Sequence, residues 1–141
     1  MTVRTIIDAN INRVSEGLRV VEDWMRFERY YDSMTMMIRT VRHDFWSAVK
    51  PVYPEMIEGR SVENDVFAST EEKKRISDED IPRASFNRIK EGLRVLEEMG
   101  KIENKIDTLF MKKLRFRIYE IEKDYYINDA SKNIAGVKTN A

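Results

Sequence analysis

The stretch Asn12-Arg13-Val14-Ser15-Glu16-Gly17-Leu18-Arg19-Val20-Val21-Glu22 returns 75 positions later as Asn87-Arg88-Ile89-Lys90-Glu91-Gly92-Leu93-Arg94-Val95-Leu96-Glu97. Asn, Arg, Glu, Gly, Leu, Arg, Val and Glu recur at identical spacing, and of the three differing positions Val14/Ile89 and Val21/Leu96 stay aliphatic. A period this long marks a duplicated structural unit. The fold must therefore hold two copies of the same element.

Both copies carry helical periodicity. Ile7, Ile11, Val14, Leu18, Val21 and Met25 recur at spacings of three and four, and Val20, Trp24 and Phe27 add a second apolar stripe. Residues 5–28 are expected to form the first helix, with Thr5 as N-cap and Asp8 three residues on. Asp32 or Ser33 can cap a second helix with an apolar row of Met37, Val41, Phe45 and Ala48, which Pro51 stops. Residues 51–77 break the pattern, with a short helical turn expected over 71–75. The second copy then forms a helix from about 78–82 to 103. Asn104 with Asp107 gives a further cap signature for a helix carrying Ile106, Phe110, Leu114, Ile118, Ile121 and Tyr125. Val41-Arg42 has its counterpart in Leu114-Arg115 and Phe45-Trp46 in Ile118-Tyr119, so the duplication covers both helices of each half. The expected fold is all-α: a four-helix bundle of two duplicated helical hairpins joined by a long central connection. It forms a single domain over 1–127, with halves of about 5–50 and 78–127 and a polar C-terminal tail over 128–141.

Composition narrows the function. The 141 residues carry 25 basic and 25 acidic side chains, so no global field attracts nucleic acid or an anionic membrane. The absence of cysteine removes disulfides and thiolate chemistry together. No apolar run has signal-peptide or membrane-spanning character, which leads to a cytoplasmic expectation. Phosphate loops, dinucleotide fingerprints, nucleophile elbows and zinc spacings are all missing.

The candidates lie in the repeat. Gly17 and Gly92 each cost roughly 1 kcal/mol against Ala inside a helix. That cost fits close helix crossing, room for a ligand, or both. Arg13 and Arg88 fall beside these glycines on the mostly apolar side, where an unpaired charge is expensive. Pairing with Glu16 and Glu91, or an anion site, would each account for them. Arg19 and Arg94, with Glu22 and Glu97 three residues on, read as surface ion pairs on spacing alone. His43, the single histidine, reads as structural, and Arg60 and Asp65 in the long connection read as solvated charges.

Taken together, Asp8-Ala9-Asn10, Arg13, Glu16-Gly17-Leu18-Arg19, Glu22, Val41-Arg42-His43, Arg60 with Asp65-Val66, residues 84–98 and Leu114-Arg115-Phe116-Arg117-Ile118-Tyr119 resemble a small alternative hydroxymethylpyrimidine-phosphate kinase family of thiamine biosynthesis. Its members stand alone or precede thiamine-phosphate synthase, and this chain resembles a stand-alone one. The resemblance spans about residues 6–123. It implies phosphorylation of 4-amino-5-hydroxymethyl-2-methylpyrimidine phosphate by ATP with Mg²⁺. Under it, Arg13, Arg88, Arg19 and Arg94 serve catalysis. Asn12, Arg42, His43, Arg60, Asn87 and Arg115 bind substrate or phosphate, and Glu16, Asp65 and Glu91 hold magnesium. Such a reaction needs no base, only convergent guanidiniums and a metal to bring two polyanions into line. The expected partners are these small molecules, with a homodimer left open. The rival is a non-catalytic helical module that assists thiamine-phosphate synthase or mediates oligomerisation.

Overall fold

The computed structural model describes residues 2–134 and contains no strand among them. Four long helices form the bundle: α1 (Thr2–Asp23), α2 (Asp32–Val49), α4 (Asp80–Met99) and α5 (Thr108–Ile134). The connection between halves holds one short helix, α3 (Tyr53–Met56), and 3-10 turns at Ile57–Gly59 and Val62–Asn64. Residues 71–75 carry no helical turn, and every residue from 60 to 79 is exposed. No helix among the described residues is long and apolar enough to cross a membrane.

The duplication becomes a pseudo-twofold arrangement at the α1–α4 crossing. A Cβ on Gly17 would stand 2.8 Å from the Ile89 side chain and 3.2 Å from the Ser85 carbonyl oxygen. A Cβ on Gly92 would stand 2.7 Å from the Val14 side chain. Val14 and Ile89 are equivalent positions of the repeat, as are Gly17 and Gly92, so each copy presents its glycine to the other's aliphatic residue. The contact is isologous and antiparallel. Glycine here serves close backbone approach, settling in favour of packing the question the sequence left open. A second tie across the axis joins α2 to α5, where Arg117 Nη1 donates to Asp44 Oδ2 at 2.8 Å.

Ile7, Ile11, Val14, Leu18, Val21 and Met25 are fully buried, as their spacing required. The second stripe of α1 is not, since Val20 and Phe27 are exposed and Trp24 is half-buried. In α2 the buried row is Ile38, Val41, Phe45 and Val49, leaving Met37 exposed. The 3-4-4 spacing of that row points one residue away from the expected one. Three boundaries also differ. Helix α1 begins at Thr2, which places Thr5 inside it. Asp107, not Asn104, caps α5, its carboxylate accepting the Phe110 N–H at 3.0 Å. Helix α5 continues to Ile134, past the expected start of the tail at 128, and residues 135–141 of that tail lie outside the described residues.

At one end of the bundle α1 widens into a π-helical turn, Trp24–Arg29, closed by Tyr30 with φ 58°. Trp24 Nε1 donates to the Tyr125 hydroxyl at 2.8 Å, and the Tyr31 hydroxyl donates to Asp129. Burial raises the pKa of Tyr125, as does the charge of Asp129; burial and the Asp129 hydrogen bond raise that of Tyr31. A raised phenol pKa means the fold prefers the neutral form. The stability it contributes is intact below the unfolded tyrosine value of about 10 and is lost as pH climbs through the raised values. Urea midpoints are therefore expected to fall above about pH 10, and less steeply in Tyr125→Phe.

Candidate functional site

A polar network is built where α1 meets α2 and α3. Asp8 lies on α1 and is only 3% exposed, so its carboxylate requires partners. Arg60 reaches back from the end of the α3 segment and donates to both Asp8 oxygens, Nε at 2.8 Å and Nη2 at 2.6 Å. Arg60 Nη2 also donates to the Tyr53 hydroxyl at 2.8 Å, and that hydroxyl donates to Asn12 Oδ1 at 3.1 Å. Asn12 closes the ring by donating to Asp8 Oδ1 at 3.0 Å, which the i, i+4 spacing of the two residues permits. Trp46 of α2 stands edge-on to Tyr53, with ring centroids 5.4 Å apart.

Further along the same flank, Glu22 is almost wholly buried and accepts from Arg42 Nε at 2.7 Å and Nη2 at 3.4 Å, with Arg19 Nη1 at 3.9 Å. The other half repeats the device. Glu97 accepts from Arg115 Nε at 2.5 Å and Nη2 at 3.0 Å, with Arg94 Nη1 at 3.5 Å. Arg94 also pairs with Glu98 at 2.9 Å, and Arg115 donates to the Tyr119 hydroxyl at 3.1 Å. Lys90 pairs with Glu122 at 2.9 Å and sits over the Tyr119 ring. In each half one buried carboxylate thus fixes a bidentate arginine from the hairpin partner and holds a second, more exposed arginine of its own helix nearby. Hydrogen bonding to Asp8 raises the pKa of Arg60, and hydrogen bonding to Glu97 raises that of Arg115.

On the α1/α2 flank the structure brings Asn12 and Arg60 together at Asp8, and Arg19 and Arg42 together at Glu22 about 21 Å further along α1; on the α4/α5 flank it brings Arg94 and Arg115 together at Glu97. No hydrogen bond or ion pair joins these three clusters among the described residues. Arg13 and Arg88 are both exposed, against the expectation of a buried charge. Each stands about 40° around its helix from its glycine, which carries the guanidinium out of the apolar seam to its rim. Arg13 donates to Asn10 Oδ1 at 3.3 Å, while Arg88 makes no hydrogen bond or ion pair among the described residues. Glu16 and Glu91 are likewise exposed and unpaired there, so their expected pairing with Arg13 and Arg88 is not formed. His43 and Asn87 are exposed as well. The carboxylate of Asp65 turns inward on its own loop, accepting the Phe67 N–H at 2.9 Å. Glu16, Asp65 and Glu91 therefore stand on three separate elements, and no cluster of three or more metal-ligating side chains occurs among the described residues.

Asp8, Tyr53, Glu22 and Glu97 are not among the candidates that the sequence offers, although they organise all three clusters. Glu22 and Glu97 left a signal, recurring in the repeat beside the buried Val21 and Leu96. Tyr53 left none, since its role depends on how the connection folds back on α1.

The ThiD2 family pattern matches residues 5–124. The chain is similar to the thiamine-phosphate synthase of Prochlorococcus marinus, 32% identical over 120 residues that cover 85% of this chain and 35% of the relative. It is also similar to that of Synechocystis sp., 33% identical over 124 residues, and of Nostoc punctiforme, 30% over 125, covering 85% and 86% of this chain and 35% of each relative. The chain thus spans about one third of the length of these curated relatives. No solved structure matches it.

Proposed function

Because the chain belongs to the ThiD2 family, we propose that it acts in thiamine biosynthesis as a kinase converting 4-amino-5-hydroxymethyl-2-methylpyrimidine phosphate to its diphosphate with MgATP. One observation carries this reading: the α1/α2 flank holds two fixed arginine anchors, Arg19 with Arg42 on the buried Glu22 and Arg60 on the buried Asp8, spaced about 21 Å apart along α1.

The chemistry asks for little more. An oxygen of the acceptor's phosphate attacks the terminal phosphorus of ATP, the bond from that phosphorus to the bridging oxygen breaks, and ADP leaves. The acceptor is already ionised, so no residue has to remove a proton. Arginines held at fixed angles can grip phosphate oxygens without reorganising as charge shifts. Trp46 and Tyr53 supply aromatic surface beside Asn12, whose N–H groups are spent on Asp8 but whose Oδ1 keeps a second lone pair for a pyrimidine amino group. Magnesium, when bound, would neutralise negative charge on the phosphates. It commonly takes one or two protein carboxylates and leaves the remaining positions to phosphates and water. The unpaired, exposed carboxylate of Glu16 fits that demand, and Glu91 is its equivalent in the other half.

The rival reading, a non-catalytic helical module assisting thiamine-phosphate synthase, also has an observation on its side: Arg19, Arg42, Arg94 and Arg115 all have carboxylate partners already. ADP release separates the two. Turnover is expected with the pyrimidine monophosphate and MgATP, with the unphosphorylated pyrimidine as comparison, and Arg60→Ala is expected to lower kcat/KM by about 100-fold or more. No ADP release with either acceptor would favour the module.

A further inference from the structure

The face formed by α2 and α5 is unlike the two flanks. A groove of about 580 Å³ runs there, floored by Met37, Thr40, Phe116 and Ile121 and rimmed by Lys113 and Glu120. Met37 is 43% exposed and Phe116 50%, and Met36 and Leu109 beside them are 59% and 60% exposed. Large apolar side chains concentrated on one face with opposite charges at its rim are what an association surface presents.

The charges indicate which partner fits. Lys113 and Glu120 are exposed, and neither forms an ion pair or hydrogen bond among the described residues. They lie seven residues apart on α5, two turns along one face. Midway between them stand Phe116 and Arg117, the latter already committed to Asp44 at 2.8 Å. An antiparallel α5 of a second copy, with its twofold axis passing between positions 116 and 117, sets Lys113 against Glu120 of the copy and Glu120 against Lys113 of the copy. The same operation stacks Phe116 of each chain into the other's groove over Met37. A twofold interface must be its own complement, and this face is.

We propose that the α2/α5 face is a homodimer interface, with paired antiparallel α5 helices whose register is fixed by two reciprocal Lys113–Glu120 ion pairs around a Met37/Phe116 core. This holds independently of the kinase reading: of the interface residues only Phe116 touches an arginine cluster, with Arg115 5.1 Å over its ring, and the register-setting Lys113 and Glu120 touch none.

Sedimentation velocity on the full chain tests it. Wild type is expected to sediment with twice the 16.8 kDa chain mass at micromolar concentration. Lys113→Glu and Glu120→Lys each set like charges together twice per dimer and should weaken association by at least about tenfold. The double variant Lys113→Glu/Glu120→Lys should restore it. Both positions are exposed, and circular dichroism of each variant confirms that the fold is retained. A wild type that stays monomeric, or a dimer indifferent to both single reversals, overturns the proposal.

Discussion

Glu22→Ala is expected to lower the stability of the bundle by about 3 kcal/mol, because it strands Arg42 and Arg19 beside a site where their shared carboxylate was buried. For a chain of this size that corresponds to a fall in melting temperature of about 10 °C. Glu97→Ala should behave alike, since Arg115 and Arg94 depend on it in the same way. The informative comparison is the double variant Glu22→Leu/Arg42→Met. Replacing both partners of a buried ion pair by apolar groups of similar size is often neutral or stabilising. Its melting temperature should therefore return to within a few degrees of wild type. A double variant as unstable as Glu22→Ala would mean that the pair is needed for the fold itself, which would support the module reading.

The second large effect concerns the helix crossing. Gly17→Ala would gain roughly 1 kcal/mol in helix propensity. Against this, the new methyl would lie 2.8 Å from the Ile89 side chain and 3.2 Å from the Ser85 carbonyl oxygen. The backbone oxygen can move only if α4 moves, and overpacking of this kind costs about 1–3 kcal/mol. A net loss is expected, and Gly17→Leu should separate α1 from α4 and abolish cooperative melting. Gly92→Ala should be milder, as its nearest contact is a side-chain methyl of Val14 and the nearest backbone atom lies at 3.5 Å. Thermal melts of the three variants give the order directly. Stabilisation by Gly17→Ala would contradict the close isologous crossing.

Much of the fold was legible because the repeat and the 3-4 spacing are direct consequences of helix geometry. Ile7 to Met25 fell where they were expected, and the duplicated glycines marked the crossing. The errors have physical causes. Proximity to Gly17 points Arg13 inward, yet one helical offset and a long side chain suffice to bring a guanidinium to the rim. Met37 keeps a spacing of four with Val41 and Phe45 in α2, but Ile38 keeps better phase with Val41, Phe45 and Val49 together. In the candidate site, the pairing of Arg19 and Arg94 with Glu22 and Glu97 followed from i, i+3 spacing. The bidentate grip of Arg42 and Arg115 on those glutamates did not, because it joins different helices. The Asp8–Arg60–Tyr53–Asn12 ring was hidden for the same reason, as it forms only when the connection folds back over α1. The thiamine-biosynthesis resemblance agrees with the ThiD2 family match and with relatives named thiamine-phosphate synthase.

On the kinase reading, the buried Glu22–Arg42 pair serves ligand phosphate rather than stability. ADP release from MgATP with the pyrimidine monophosphate, measured for wild type and for Glu22→Leu/Arg42→Met under identical conditions, tests it most directly. Turnover by wild type and a loss of about 100-fold or more in a double variant that melts like wild type is the predicted result. Equal turnover by the two proteins, or none by wild type, would contradict it.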